Sequence, residues 1–149
     1  MRRLVPLVLA CWAAVALTGC SGSTAGPRLT VTGAYVPQPP MADMAAGYLT
    51  IVNSGGVDDT LTGVTSAVAA EVTMHSTTDA GQMKAVAAFP IPAHGRLTFR
   101  VGANHLMLDG LKRLPQAGET VEFVLRFAKS GQIVVHAPVK PAGGTDQGM

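Results

Sequence analysis

Apolar and polar residues alternate along much of this chain, and that two-residue period limits its fold more than any other feature. An alternating stretch fits a β-strand with one buried face and one exposed face. The alternation is clearest at residues 96–101 and 120–127. The apolar residues predicted to share a buried face are Leu97, Phe99 and Val101 in the first stretch and Val121, Phe123, Leu125 and Phe127 in the second. Between residues 28 and 140, no stretch has the apolar spacing of a long helix.

Further short strands are predicted in the rest of this region. They lie at residues 28–36, 46–53, 60–66, 70–76, 106–109 and 133–139. Turn-forming segments such as residues 53–56 and 129–131 separate them. About eight short antiparallel strands at this spacing are typical of a β-sandwich or a Greek-key β-barrel. The prediction is therefore one all-β domain at residues 28–140, long enough for one hydrophobic core and too short for two.

The first 20 residues have the pattern of an export signal. Two arginines precede an apolar stretch from Leu4 to Leu17, which is shorter than the roughly 20 residues that span a bilayer as a helix. The segment ending in Cys20 resembles the lipobox of bacterial lipoproteins, in which signal cleavage leaves a lipidated cysteine as the first residue. We therefore predict a signal at residues 1–19, a lipid anchor on Cys20 with a flexible tether at residues 20–27, and an extracytoplasmic protein held at the bacterial cell membrane. In the alternative, the chain is an ordinary secreted protein and Cys20 is incidental.

Cleavage at this site changes the composition of the mature chain. Cys11 leaves with the signal and a lipidated Cys20 is blocked, so no thiol remains for a disulfide or a thiolate metal site. Nine cationic residues then stand against nine acidic ones. A formally neutral chain argues against nucleic acid as a partner, because phosphate binding needs clustered positive charge. The Gly-rich residues 141–149 are predicted to form a flexible tail.

Two histidines and two methionines form the candidate metal site: His75, Met83, His105 and Met107. Imidazole nitrogen and thioether sulfur are soft, uncharged donors that suit Cu(I) better than zinc, calcium or magnesium. Alternate residues of a strand point to opposite faces, so His105 and Met107 project together if the intervening leucine faces the core. The same rule sends His75 outward and makes Met74 a core residue.

A second, weaker site is predicted near the end of the chain. His136 and the terminal Met149 supply the donors, and Cu(II) is the expected ion. The alternative for both residues is a solvated surface. Taken singly, the methionines of the main site also have a simpler interpretation as core filler, and it is the combination of residues that indicates a metal.

The spacing of the main-site residues resembles the motif of the periplasmic copper chaperone family written PCu(A)C. That motif has a histidine, a methionine about ten residues later, a gap of twenty-one residues, and then His-x-Met. Here twenty-one residues separate Met83 from His105, and Met107 completes His-x-Met. The flanking residues 102–113 and 46–53 resemble the family as well. Only seven residues separate His75 from Met83, which we interpret as a shortened hairpin loop.

The resemblance has consequences for fold and function. It implies a cupredoxin-like β-barrel that holds one Cu(I) ion near its surface through His75, Met83, His105 and Met107. It also implies delivery of this copper to the Cu(A) site of cytochrome c oxidase, alongside Sco-type thiol proteins. Neutral donors on an exposed rim fit such a carrier, because an incoming thiolate can displace them one at a time.

Other function classes have less support in the sequence. No paired-carboxylate, phosphate-loop or serine, histidine and acid arrangement indicates an enzyme. An electron-transfer cupredoxin needs a cysteine thiolate, which the mature domain lacks. The alternative that stays open is a structural or ligand-binding envelope lipoprotein, whose β-sandwich makes protein contacts and has no metal role. Retention of Cu(I) distinguishes that protein from a copper chaperone.

Overall fold

The computed structural model describes residues 25–143, and every regular element in that range is a β-strand. The strands are β1 (Leu29–Pro37), β2 (Met44–Asn53), β3 (Asp59–Thr65), β4 (Ala69–Thr77), β5 (Met83–Ala85), β6 (Phe89–Ile91), β7 (Arg96–Phe99), β8 (His105–Leu111), β9 (Thr120–Phe127) and β10 (Gly131–Lys140). Residues 25–143 contain no helix of the length and apolarity needed to cross a membrane. The predicted signal at residues 1–19, the predicted lipidation site Cys20 and the terminal Met149 lie outside the described residues.

The all-β class predicted from the alternation is confirmed, with ten strands in place of about eight. Each predicted strand is present, and its ends agree with the prediction to within about two residues. The two additional strands, β5 and β6, have three residues each. A strand of that length is too short to show an alternating pattern, so the sequence did not predict it.

The strands form one continuous sheet in the order β5-β4-β8-β2-β1-β10-β9-β3-β6, and β7 pairs with the second half of β2. All of the pairings are antiparallel except one: β1 and β10 run parallel where Val36 faces Val139. The sheet curls until β3 lies against β4 and β6 lies against β7. The result is a half-barrel whose inner face is apolar. The strands β4, β8 and β2 are neighbours in it, and they carry the candidate site.

Apolar side chains from most strands form a single core inside the curled sheet. In β9, Val121, Phe123 and Leu125 are fully buried, as the alternation predicts. The prediction for Val101 is wrong, because this side chain is 70% exposed. Pairing with β2 stops at Phe99, and residue 101 lies in the turn that leads to β8.

One buried carboxylate joins the start of β3 to the turn between β9 and β10. Asp59 is fully buried. It accepts hydrogen bonds from the backbone N–H groups of Thr60, Lys129 and Ser130 and from the Ser130 hydroxyl. Burial alone would raise the pKa of this carboxyl, but the hydrogen bonds outweigh burial and hold the pKa below its ordinary value of 3.8. The ionised form of Asp59 is therefore the form that stabilises the fold.

We expect Asp59→Asn to lower the free energy of unfolding by about 2–3 kcal/mol at pH 7, because an amide cannot replace both charged acceptor oxygens. A carboxyl with a lowered folded pKa contributes fully above its unfolded pKa and loses that contribution as the pH falls through the folded pKa. The difference between wild type and variant in urea unfolding should therefore shrink below about pH 4. Asp58→Asn is the matched control: the Asp58 side chain is 70% exposed, and its ion pair with Lys129 should contribute less than about 1 kcal/mol. Equal losses in the two variants would contradict this role of Asp59.

Candidate metal centre

The strand β8 carries two of the candidate donors on one face. Leu106 and Leu108 are fully buried in the core, which confirms the predicted inward face of this strand. His105 and Met107 alternate with them and so project from the opposite, outer face. His105 is only 7% exposed, and Met107 is half-buried. An imidazole and a thioether thus leave the outer face of the sheet two residues apart.

His75 lies directly across from His105 on the neighbouring strand. The two residues are register partners in the antiparallel pair of β4 and β8, so their side chains leave the sheet on the same face. Their ring centroids are 5.4 Å apart, and the ring planes differ by 24°. Met74, one residue earlier, is buried in the core as predicted. The sheet register therefore brings together two histidines that are thirty positions apart in the sequence.

Hydrogen bonding determines which nitrogen of His105 carries the proton. The Nδ1 atom lies 3.0 Å from the carbonyl oxygen of Ala103. A carbonyl oxygen can only accept, so Nδ1 carries the hydrogen and donates it. In the neutral ring, Nε2 then has a free lone pair. This Nε2 atom is buried and has no hydrogen-bond partner.

A chain of hydrogen bonds through Thr73 determines the tautomer of His75. The Thr73 hydroxyl donates to Oδ2 of Asp109 at 3.2 Å, and its oxygen lies 2.9 Å from Nε2 of His75. Because the single hydroxyl hydrogen is directed to the carboxylate, Nε2 of His75 must donate to the hydroxyl oxygen. The lone pair of the neutral ring is then on Nδ1, which is buried and unpartnered. Asp109 and Thr73 thus hold His75 in one tautomer and one orientation.

Two neighbouring histidines with unpaired ring nitrogens require an explanation. Leaving one buried polar atom without a partner costs about 1–3 kcal/mol. In the part of the chain that the structure describes, His75 Nδ1 and His105 Nε2 are the two side-chain atoms in this condition. Each belongs to a ring whose other nitrogen donates a hydrogen bond, which is the arrangement of histidine ligands in metal sites. The site therefore presents two preoriented imidazole donors on one face.

Two thioethers lie on the same face as the rings. Met107 follows His105 on β8, and Met83 is the first residue of β5. The register partner of Met83 is Thr77, two residues beyond His75 on β4, so Met83 shares the outer face with His75. The side chain of Met83 is 61% exposed. Imidazole and thioether donors on one accessible face are chemically suited to a soft monovalent cation.

The connection from β4 to β5 is a tight hairpin. The backbone N–H of Thr78 donates to the carbonyl oxygen of Gln82 at 2.9 Å, and the N–H of Gln82 donates to the Thr78 hydroxyl at 3.2 Å. Gly81 has a φ of +77°, a conformation that glycine adopts without strain. In the sequence Met83 lies outside the regular alternation, whereas in the structure it begins a paired strand. The seven-residue spacing between His75 and Met83 is therefore compatible with both side chains leaving the same face.

The predicted second site is not assembled among the described residues. His136 is exposed on β10 and pairs with Glu122 of β9. In the sheet, β10 is separated from β8 by β2 and β1. Met149 lies outside the described residues, so the Cu(II) site stays a prediction. Within residues 25–143, no three His, Cys, Asp or Glu side chains gather as a possible metal-binding group, and the donor set at β4 and β8 combines two imidazoles with thioethers instead.

Thr73 and Asp109 are the part of the site that sequence reasoning missed. Both follow the alternation of the histidines: Thr73 precedes His75 by two residues, and Asp109 follows Met107 by two. Because alternate residues of a strand share a face, this spacing places Thr73 and Asp109 on the outer face with the histidines. Connecting the two residues needed the register of β4 with β8, in which Thr73 lies opposite Met107.

Two comparisons of the amino-acid sequence identify related proteins. The model of the family described as "Putative lipoprotein LpqE-like" matches residues 29–139. The chain is also 30% identical over 144 residues to "Putative lipoprotein Lxx21020" of Leifsonia xyli subsp. xyli (strain CTCB07). That match covers 88% of this chain and 86% of the relative. The similarity thus extends over nearly the whole of both proteins.

Solved structures with a similar fold include two copper-bound proteins. The Cu(I) form of DR1885 from Deinococcus radiodurans is 34% identical, with a TM-score of 0.65, and the match covers 80% of this chain and 83% of that one. The copper-bound PCuAC domain from PmoF2 is 25% identical, with a TM-score of 0.67, and the match covers 76% of this chain and 92% of that domain. The expected cupredoxin-like fold of PCuAC domains is thereby confirmed.

Proposed function

The chain belongs to the LpqE-like lipoprotein family, and on that premise we propose that it is an extracytoplasmic copper chaperone that binds one Cu(I) ion through His75, Met83, His105 and Met107. The main support is the pair of buried, unpartnered nitrogens, His75 Nδ1 and His105 Nε2. A metal ion is the partner that both lone pairs lack. The copper in the similar DR1885 and PmoF2 structures supports the choice of ion.

The donor set favours Cu(I) over harder cations. Neutral imidazole and thioether groups are soft donors, whereas magnesium and calcium prefer oxygen. In this proposal the two histidines supply the buried side of the site, because their rings are held by Ala103 and by Thr73. The thioethers supply the accessible side.

Release of the ion follows from the exposure of the donors. Met83, the most exposed of the four ligands, is the first to be displaced when an acceptor thiolate approaches. Thioethers bind copper without forming disulfides, which suits an oxidising compartment. The acceptor in this proposal is the Cu(A) site of cytochrome c oxidase, with a Sco-type thiol protein as the second partner. No catalytic step is part of the proposed function.

The proposed location is the outer side of the bacterial cell membrane. The lipoprotein family and the lipoprotein relative support it, together with the lipobox-like segment that ends at Cys20. In this proposal residues 1–19 are removed and Cys20 receives the lipid. Incorporation of a labelled fatty acid into the wild-type protein, and its loss in Cys20→Ala, is the expected result.

An anaerobic titration with Cu(I) against a coloured cuprous chelator tests the proposed function. A chaperone retains one tightly bound equivalent of copper in this competition. A structural or ligand-binding lipoprotein, which is the alternative, retains none. When the protein loaded with Cu(I) is mixed with a thiol acceptor domain, the copper should move to the acceptor, because thiolates readily displace neutral ligands.

The hydrogen-bond chain behind His75 gives a further prediction. Thr73→Val keeps the β-branched shape but removes the acceptor for His75 Nε2, so the ring loses its fixed tautomer. We expect Cu(I) affinity to fall about tenfold, at the low end of what such supporting groups contribute. Thr73→Ser keeps the hydroxyl and should retain wild-type affinity. Nitrogen NMR of the His75 ring reports the tautomer directly, and an unchanged tautomer and affinity in Thr73→Val would contradict the role of this chain.

A further inference from the structure

Methionine accounts for most of the large apolar side chains that the described surface exposes. Five such residues are exposed within residues 25–143, and three of them are methionines: Met41 at 62%, Met44 at 45% and Met83 at 61%. Met83 belongs to the site proposed above. Met41 and Met44 have no part in that site or in the core. Their exposure therefore needs a separate explanation.

Met41 and Met44 line one groove with Met107. The groove is a cavity of about 340 Å³ whose other lining residues include Pro37, Pro39 and Tyr48. Its lining is mostly apolar, with thioethers as its distinctive chemical groups. Met107 thus belongs both to this groove and to the proposed copper site, where it follows His105 on β8. The groove is contiguous with the proposed copper site through this one side chain.

The register of β2 with β8 places Met44 and Met107 on the same face. Met44 is the partner of Asp109, and Ala46 is the partner of Met107. Met44 and Met107 are therefore diagonal neighbours across two adjacent strands, a separation that long side chains can bridge. The small side chain of Ala46 leaves space between the two thioethers.

Backbone hydrogen bonds join the connection from β1 to β2 to the end of β8. The backbone N–H groups of Gly110 and Leu111 both direct their hydrogens at the carbonyl oxygen of Asp43, at N···O distances of 3.1 and 3.4 Å. These contacts hold Asp43, which lies between Met41 and Met44, beside the end of β8. Pro39 and Pro40 precede Met41 in the same connection from β1 to β2, and their fixed φ limits the conformations of that connection. The groove thus lies between the connection from β1 to β2 and the outer face of β8.

We propose that Met41, Met44 and Met107 form a second, thioether-only binding site for Cu(I) in this groove. Three neutral sulfur donors select a soft monovalent cation over harder metals. The site lacks imidazole and shares Met107 with the main site, so it binds more weakly than the site at His75 and His105: once the main site is filled, Met41 and Met44 are its remaining donors. Because Met107 is common to both, the groove is a route by which copper enters or leaves the main site. This route rests on the proposed function, whereas metal binding in the groove is testable by itself.

Methyl NMR of the methionine side chains, during anaerobic addition of Cu(I), tests the proposal. With one equivalent, the methyl signals of Met83 and Met107 should shift. With a second equivalent, those of Met41 and Met44 should follow, while the buried Met74 stays unchanged as the internal control. Each methyl reports its own residue, so binding at another methionine is not mistaken for binding in the groove.

The double variant Met41→Leu, Met44→Leu tests whether the sulfur atoms of the groove bind the second ion. It keeps apolar volume in the groove and removes two sulfur atoms. We expect it to retain the first equivalent with wild-type affinity and to bind the second at least about tenfold more weakly than wild type, one factor of ten being about 1.4 kcal/mol. The transfer of copper to a thiol acceptor should also slow.

Two results would overturn the groove site. In one, the Met41 and Met44 signals stay fixed up to two equivalents of Cu(I). In the other, the double variant binds the second equivalent as well as wild type does, which means that the second ion binds outside the groove. Failure of the main site gives a different pattern, because the Met83 signal then stays fixed at one equivalent while the signals of Met41, Met44 and Met107 shift.

Discussion

His105→Asn should weaken Cu(I) binding by roughly a hundredfold or more, because loss of a ligand exceeds the 10- to 100-fold effect of a supporting group. Asparagine is chosen because its side-chain N–H reaches about where Nδ1 of His105 does. It can therefore still donate to the carbonyl oxygen of Ala103. What the variant loses is Nε2, the buried nitrogen without a partner. A competition titration with a cuprous chelator measures the change.

In His75 the nitrogen that donates a hydrogen bond is Nε2 and the unpartnered nitrogen is Nδ1, the reverse of His105. His75→Gln is therefore the companion variant. The Gln side-chain N–H takes the position of Nε2 of His75 and can donate to Thr73, while the free Nδ1 atom is removed. We expect a loss of Cu(I) affinity of similar size. Both variants should unfold within about 1 kcal/mol of the wild type in the absence of metal, a typical change for one substitution. Wild-type copper binding in either variant would show that the corresponding nitrogen is not a ligand.

The double variant Met83→Leu, Met107→Leu should also weaken Cu(I) binding about a hundredfold, since only the two imidazoles remain. Leucine matches methionine in volume, so the free energy of unfolding should fall by less than about 1.5 kcal/mol. Two imidazoles without sulfur no longer favour the soft ion Cu(I). The variant should therefore lose less affinity for Cu(II) than for Cu(I), each compared with the wild type. Parallel titrations with both oxidation states measure this shift.

Met74→Leu is the control for the thioether variant. Met74 is adjacent to His75 in sequence but is 6% exposed and lies in the core. This substitution should leave Cu(I) affinity unchanged. If the Met83 and Met107 double variant instead unfolded with a loss of several kcal/mol, as truncation of core residues does, those methionines would be packing residues and not ligands.

The fold was predictable because β9 and β8 are governed by one rule, the burial of alternate residues. Val121, Phe123 and Leu125 are buried as the alternation requires, and so are Leu106 and Leu108. The rule failed at Val101, because the alternation of the sequence continues to this residue whereas the pairing of β7 with β2 ends at Phe99. It also gave no signal for the three-residue strand β5, which carries Met83. The number of strands was therefore underestimated.

The outer face of β8 was predictable, but the contacts across it were not. Alternation shows that His105 and Met107 leave the same face. It does not show that His75 is the register partner of His105, or that Thr73 joins His75 to Asp109. Those contacts depend on how β4 slides along β8, and a shift of one residue would reverse every face. The register is set by the whole sheet and not by the residues of the site.

The groove beside Met107 was not foreseen for a similar reason. Met41 and Met44 precede the alternating part of β2 and have no histidine near them in the sequence. Only the pairing of β2 with β8 brings Met44 next to Met107. A pair of methionines in a Pro-rich turn is not by itself a metal motif. The spatial neighbourhood of Met107 gives them their proposed role.

X-ray absorption spectroscopy of the protein loaded with one equivalent of Cu(I) tests the donor set most directly. The proposed ligands His75, Met83, His105 and Met107 predict a first coordination shell that contains both imidazole nitrogen and thioether sulfur. The sulfur contribution should decrease in the Met83→Leu, Met107→Leu variant, and the imidazole contribution should decrease in His105→Asn. A wild-type spectrum with only nitrogen and oxygen around the copper, or one that neither variant alters, would contradict the account.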